Sequence, residues 1–283
     1  MQSGKTIWYT IATTSIVSLS LLSAGAILAF RDSQASPPPQ AAADKHPASQ
    51  AKPNAGSGSD TPAASDAVPA ASPTRVNGNY RVVALGDSLT RGTGDETGQG
   101  YVGYLTTELQ KLTTNKVLTT NLGVNGMKAP ELLQYIQSPD VRKEIQAAHL
   151  ITLSIGGNDL VRGAGPVTAP DPQLAKQTRE QYLQALDRIL KEIRSLNGKA
   201  PVLFVGLYNP FPLTGQSQQT ALQILDEWNL QTSQVLAKYP YAVLVPTQDL
   251  FAWNSSKLLS VDQFHPNAQG YQAIAQRMLQ DVI

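Results

Sequence analysis

Ser88, His265 and Asp262 are the residue types that together can turn a hydroxyl into a nucleophile, and each sits at a telling point of the chain. Ser88 closes the run Val82-Val83-Ala84-Leu85-Gly86-Asp87-Ser88, an apolar stretch ending at a glycine, which reads as a buried strand turning sharply into a helix. A serine there is either the N-cap of that helix or a nucleophile presented at the carboxyl edge of a parallel sheet. Partners elsewhere must decide between the two.

The chain has 3 histidines and no cysteine. Without cysteine, disulfides, zinc-thiolate sites, a thiol nucleophile and a lipid on an N-terminal Cys are all excluded, and any side-chain nucleophile is a hydroxyl. His46 lies in a Pro-, Ala- and Ser-rich stretch that nothing can position. His149 directly precedes the strand-like run Leu150–Ile155, at the end of the sheet opposite Ser88, where a structural role fits. His265 lies in Val261-Asp262-Gln263-Phe264-His265-Pro266-Asn267, a loop after the last strand, from which it can reach Ser88. Asp262 precedes it by one short turn, a spacing that lets a carboxylate hold the imidazole Nδ1 while Nε2 faces the serine.

Two further strand ends offer hydrogen-bond donors: Asn121-Leu122-Gly123-Val124-Asn125-Gly126 and Ile155-Gly156-Gly157-Asn158-Asp159. A tetrahedral intermediate needs N–H groups aimed at its oxyanion, and the side-chain amide of Asn158 can supply one. The Gly-Gly-Asn-Asp sequence also reads as a plain turn and helix cap. Tyr208, Phe211, Trp253 and Phe264 follow strand ends and either line an apolar pocket or simply pack.

The elements that must position these residues follow from periodicity. Apolar runs predict strands over 81–86, 116–122, 150–155, 201–207 and 242–246. Three- and four-residue apolar spacing predicts helices over 101–112, 129–147, 174–196, 218–239 and 267–283. Five β-α units imply an α/β domain over 78–283, a five-stranded parallel sheet with helices on both faces.

Ahead of that domain, Thr6–Phe30 is uncharged and flanked by Lys5 and Arg31. About 20 apolar residues span a bilayer, and an h-region of a cleaved signal is shorter, at about 7 to 15. Residues 1–32 therefore read as a membrane anchor. Ala24-Gly25-Ala26 and Ser33-Gln34-Ala35 keep a cleaved signal peptide open. Either way the domain is expected outside the cytoplasm, held to or released from the membrane. Residues 33–77, rich in Ala, Ser and Pro, lack the large apolar side chains of a core and read as a disordered linker, a stalk or a mere spacer. With 22 Lys and Arg against 21 Asp and Glu, net charge +1, no field draws the chain to nucleic acid. Neither composition nor pattern speaks to oligomeric state.

The blocks Gly86-Asp87-Ser88-Leu89, Asn121 to Gly126, Gly156-Gly157-Asn158-Asp159 and Asp262-x-x-His265, in this order, resemble the SGNH or GDSL-type esterases and lipases over nearly all of 80–283. Gly206-Leu207-Tyr208-Asn209-Pro210-Phe211 and Tyr101-Val102-Gly103 resemble the exported, membrane-tethered YpmR-like branch. The resemblance implies a flavodoxin-like three-layer α/β/α sandwich and hydrolysis of a carboxylic ester, with neither metal nor cofactor. It makes Ser88 the nucleophile, His265 the general base and then acid, and Asp262 its orienting carboxylate. The oxyanion donors it implies are the Ser88 N–H, the Gly126 N–H, with Gly123 as runner-up, and the Asn158 side chain. Tyr208, Phe211 and Phe264 become candidate substrate contacts. The substrate is a lipid, lysophospholipid or small acyl ester, with an O-acetyl group on a cell-wall or exported polysaccharide as the alternative. Thr90 stands where a Gly-x-Ser-x-Gly elbow requires glycine, so the α/β-hydrolase arrangement does not fit. A catalytically idle surface-binding domain would keep this fold without needing the full Ser, Gly, Asn, Asp and His set. A nucleotide-binding relative of flavodoxin lacks support, because neither Gly-x-Gly-x-x-G nor a P-loop follows the first strand.

Overall fold

A computed structural model describes Val76 and residues 78–282. The expected membrane segment (1–32) and, Val76 apart, the expected linker (33–77) lie outside the described residues. Five strands form one parallel sheet: β1 (Tyr80–Gly86), β2 (Val117–Gly123), β3 (Leu150–Ser154), β4 (Val202–Val205) and β5 (Ala242–Val245). Their spatial order is β2-β1-β3-β4-β5, the flavodoxin-like winding. The chain leaves β1 for β2 on one side and then crosses to β3 on the other. The two crossovers diverge at the carboxyl end of β1 and leave a crevice there, the usual ligand position in such sheets.

Alternate side chains of the inner strands β1, β3 and β4 feed two cores, which explains why these runs are buried nearly throughout rather than at every second residue, whereas edge strand β2 buries only Val117. On one face Val83, Leu85, Ile151, Leu153, Val202 and Phe204 pack against α3 (Ala129–Tyr135), α4 (Pro139–Ala147), α6 (Pro172–Leu196) and α7 (Gly215–Leu236). On the other, Val82, Ala84, Leu150, Leu203 and Val245 meet α2 (Gly100–Lys111), α8 (Gln248–Ala252) and α10 (Ala268–Gln280). Helices thus cover both faces, and the sheet is the middle layer of three.

Register aligns the strand ends. Gly86 pairs with Gly123 on one side and with Ser154 on the other, so β1, β2 and β3 stop at one level. The segments that follow them, beginning near Asp87, Val124 and Ile155, therefore emerge side by side. Gly86 is required there: its φ is +141°, and a Cβ would stand 2.0 Å from the Ser154 carbonyl oxygen.

The expected helix over 129–147 is two helices. Pro139 opens α4, and Ser138 before it is extended at φ −66°, ψ 140°, as the proline ring demands of its predecessor. The fourth strand is shorter than the expected 201–207. The four remaining helices are short: α1 (Ser88–Arg91) and α5 (Gly157–Gly163) open where Ser88 and the Gly-Gly-Asn-Asp turn imply a helix start, whereas α8 and α9 (Ser255–Leu258) have no counterpart in the expected elements. Each spans two turns or fewer, too little for a 3.6-residue period to show.

Candidate active site

Asp87 caps α1: it is extended, and its Oδ1 accepts the Leu89 N–H at 3.1 Å, while Gly92 at φ 86° ends the single turn. Ser88 is thereby the first helical residue, its N–H among those that a helix start leaves without an internal partner. The turn is pinned from below by polar groups buried between β1, β3 and α2. Ser154 Oγ donates to Asp87 Oδ1 at 2.7 Å and lies 2.8 Å from Thr90 Oγ1, which in turn lies 2.7 Å from the Tyr101 hydroxyl. Thr90 Oγ1 also donates to the Leu85 carbonyl at 3.0 Å. Burial pushes the Asp87 carboxyl up to about 6, against hydrogen bonds from Ser154 and Leu89 that pull it down.

The structure brings His265 and Asp262 to this turn from the far end of the chain. Leu259 bridges Pro266 in antiparallel fashion, and Ser260 N–H donates to the His265 carbonyl at 2.8 Å, closing a tight loop with Gln263 in the left-handed region at φ 56°. His265 Nδ1 is 2.6 Å from Asp262 Oδ2, and Nε2 is 2.8 Å from Ser88 Oγ. An Nδ1–H donated to Asp262 leaves the Nε2 lone pair to accept the serine proton, the arrangement a general base needs. Asp262 Oδ1 accepts three more hydrogen bonds, from Ser260 Oγ at 2.7 Å and from the N–H groups of Phe264 and His265 at 2.9 Å each. Burial alone would raise the Asp262 carboxyl, but the hydrogen bonds from His265, Ser260 and the backbone outweigh it and hold the group well below the usual carboxylate range. Gly94, at φ +94°, backs this loop closely: a Cβ there would lie 2.8 Å from His265 Cβ.

His149 is elsewhere. Its N–H donates to the Arg81 carbonyl at 2.8 Å, its Nδ1 accepts the Arg81 N–H at 3.0 Å, and its ring stacks on Tyr80 at the amino end of the sheet. Burial, and secondarily Arg81, lower its pKa and keep the ring a neutral acceptor.

The donor side is built from the segments after β2 and β3. Gly156, at φ +109°, turns the chain into α5; a Cβ there would lie 2.7 Å from Tyr182. Asn158 follows in the first turn, and its Nδ2 donates to the Met127 carbonyl at 3.1 Å, joining α5 to the loop that carries Gly126. The two glycines of that loop differ. Gly123 N–H is committed to Asn121 Oδ1 at 2.9 Å, whereas the Gly126 N–H has no acceptor among the described residues. An oxyanion placed at this edge meets up to three uncommitted donors, the Ser88 and Gly126 N–H groups and the second Nδ2 hydrogen of Asn158.

A pocket opens beside Ser88 between Leu89, Gly157 and Phe264, walled by α5, the 164–170 loop, the 207–213 segment and the start of α7. Tyr208, Phe211 and Phe264 all line it. Of its few polar groups, the Tyr208 hydroxyl donates to the Phe264 carbonyl at 2.8 Å, and Asn209 Oδ1 accepts the Phe211 N–H at 3.0 Å. Among the described residues, no charged side chain lines it. Trp253 does not belong to this wall; it follows α8 and stands 89% exposed. The wall residues Leu160, Val161 and Ala164 escaped the sequence reading, although their helical spacing after Gly156-Gly157 was the available signal.

The chain is similar to known proteins in sequence and in fold. The GDSL-like lipase/acylhydrolase family matches residues 84–273. YpmR of Bacillus subtilis is 32% identical over 216 residues, covering 74% of this chain and 84% of the relative. The spore germination lipase LipC of Bacillus licheniformis is 25% identical over 205 residues, covering 69% and 92%. Among solved structures, the lipase Lip_vut3 from a goat rumen metagenome superposes with a TM-score of 0.61 at 23% identity, covering 71% of this chain and 97% of that one, a likeness of fold. The chain belongs to the GDSL-like lipase/acylhydrolase family, a family of ester-bond hydrolases.

Proposed function

We propose that this protein is an extracytoplasmic serine esterase or lipase that cleaves a carboxylic ester through an acyl-enzyme on Ser88. Ser88 Oγ attacks the ester carbonyl as His265 Nε2 takes its proton, and the C=O electron pair moves to the oxygen, which the Ser88 and Gly126 N–H groups and Asn158 stabilise. The tetrahedral intermediate collapses, the ester C–O bond breaks, and the alcohol leaves with the proton held by His265. Water then repeats the sequence on the acyl-enzyme and releases the acid. Asp262 keeps the imidazole oriented and favours its charged form in both halves. The observation that carries this reading is the continuous Ser88–His265–Asp262 chain at 2.8 and 2.6 Å.

The apolar pocket beside Ser88 favours a fatty acyl group over acetyl, because its wall is made almost entirely of apolar side chains and an acetyl would leave most of it uncovered. The relative described as a lipase supports the same choice. The uncharged run Thr6–Phe30 supports location outside the cytoplasm with the N-terminal segment as the membrane partner.

The test is turnover of a small aryl ester by wild type and Ser88→Ala at matched folding. Loss of turnover to the buffer rate is expected, and unchanged turnover in the variant overturns the mechanism. Release of fatty acid from lysophospholipid, compared with release of acetate from isolated cell wall, tests the acyl preference: predominant acetate release contradicts it.

A further inference from the structure

Helix α5 has two working faces. Leu160 and Val161 line the apolar pocket, while Asn158 and Arg162, one helical repeat apart, face the loop after β2. Arg162 Nη2 lies 3.1 Å from the point where a Cβ on Gly126 would stand, so its guanidinium sits directly over that glycine. The Arg162 side chain is exposed, and among the described residues no carboxylate pairs with it. The acids of the neighbourhood are engaged elsewhere: Asp159 accepts the Ala129 N–H at 3.1 Å, and Glu131 Oε2 accepts the Lys128 N–H at 2.8 Å.

An uncommitted planar fork of donors on the flank of the 123–127 loop is a recognition point for an oxyanion group such as phosphate or carboxylate. The wall opposite it admits only apolar matter. A ligand that satisfies both sides of α5 has a hydrocarbon chain on one side of its ester and a negative charge on the other. We propose that Arg162 is a specificity-determining residue and that the substrate class is the anionic single-chain lipid ester, one fatty acyl group joined to an alcohol that bears a phosphate or carboxylate. This rests on the esterase reading above and names its substrate. The acyl chain fills the pocket, the carbonyl lies over Ser88, and the charged alcohol remains outside on the flank of the 123–127 loop, within reach of the guanidinium.

The experiment compares kcat/KM for lysophosphatidylglycerol and for a monoacylglycerol of the same acyl chain, both in mixed micelles of a neutral detergent. Wild type is expected to prefer the anionic substrate by ~10-fold, the scale of one exposed charge-assisted hydrogen bond, and to lose that preference as salt rises. Arg162→Gln brings the ratio to about one, Arg162→Lys retains part of it as a point charge without the fork, and Arg162→Glu inverts it. A wild-type ratio near one, or a preference that survives in Arg162→Gln, overturns the inference. So does an equal loss on both substrates, which would place Arg162 at the reacting carbonyl instead of the headgroup. Ser88-dependent cleavage of the monoacylglycerol with a flat ratio sinks this inference and leaves the esterase reading standing; absence of cleavage of either ester, and of aryl esters, sinks both.

Discussion

Ser154 Oγ stands 2.7 Å from Asp87 Oδ1, directly beneath the turn that presents Ser88. Asp87 follows β1 and Ser154 closes β3, and the bond ties the end of β1 to the end of β3 where Gly86 lets them approach. Thr90 and Tyr101 extend the tie into α2, so the nucleophile's turn rests on a buried polar network rather than on apolar packing.

This burial has a thermodynamic signature. The folded Asp87 pKa, about 6, lies above the ordinary carboxylate value of 3.8, so between those values the folded protein binds a proton that the unfolded chain has lost. Its contribution to stability is full below pH 3.8 and is lost as pH rises through about 6. Asp87→Asn keeps an acceptor oxygen and removes the titration. The urea midpoint of the variant relative to wild type should therefore climb between pH 4 and pH 7; a constant difference would show that Asp87 titrates normally.

Asp262→Asn tests the orientation of His265. An amide nitrogen opposite Nδ1 turns the imidazole to the other tautomer, which points an N–H at Ser88 and removes the base. Turnover of an aryl ester should fall roughly 10²- to 10⁴-fold with little change in KM. A drop of less than about threefold would mean that the carboxylate only shapes the loop.

Asn158→Ala removes one proposed oxyanion donor. The expected loss is about 10²–10³ in kcat, the cost of one such donor in a water-poor site. Because Asn158 Nδ2 also holds the Met127 carbonyl, thermal unfolding must accompany the kinetics. A loss seen mainly in stability, with kcat retained, would assign Asn158 to the joint between α5 and the 123–127 loop.

Much of this architecture is legible in the chain itself, for identifiable reasons. The inner strands of a doubly covered parallel sheet are mainly apolar, so β1, β3 and β4 stand out, and the punctuation after β1, β2 and β3 falls at Gly86, Gly123 and Gly156. The single histidine in a loop after the last strand, with an aspartate one turn before it, led to the 2.6 and 2.8 Å contacts by elimination. The network beneath Ser88 was less visible. Thr152 and Ser154 alternate with Ile151 and Leu153 on β3, and two polar residues on one face of a buried strand are a signal that a count of apolar residues averages away. The split at Pro139 was overlooked because the apolar period continues across Ser138, although proline cannot continue a helix's hydrogen bonding. Trp253 shows the opposite error, since an aromatic near a strand end carries no information on which way it points. Arg162 became visible only in space, where the four-residue step from Asn158 brings it over Gly126.

Covalent acylation of Ser88 is the step on which the proposed mechanism stands. Incubation of the wild-type protein with a fluorophosphonate, followed by peptide mass mapping, reads this directly. A stoichiometric adduct is expected on the peptide containing Ser88, absent in Ser88→Ala and strongly slowed in His265→Ala. A folded wild-type protein that remains unlabelled, or an adduct on another residue, would contradict it and favour a domain that binds without catalysis.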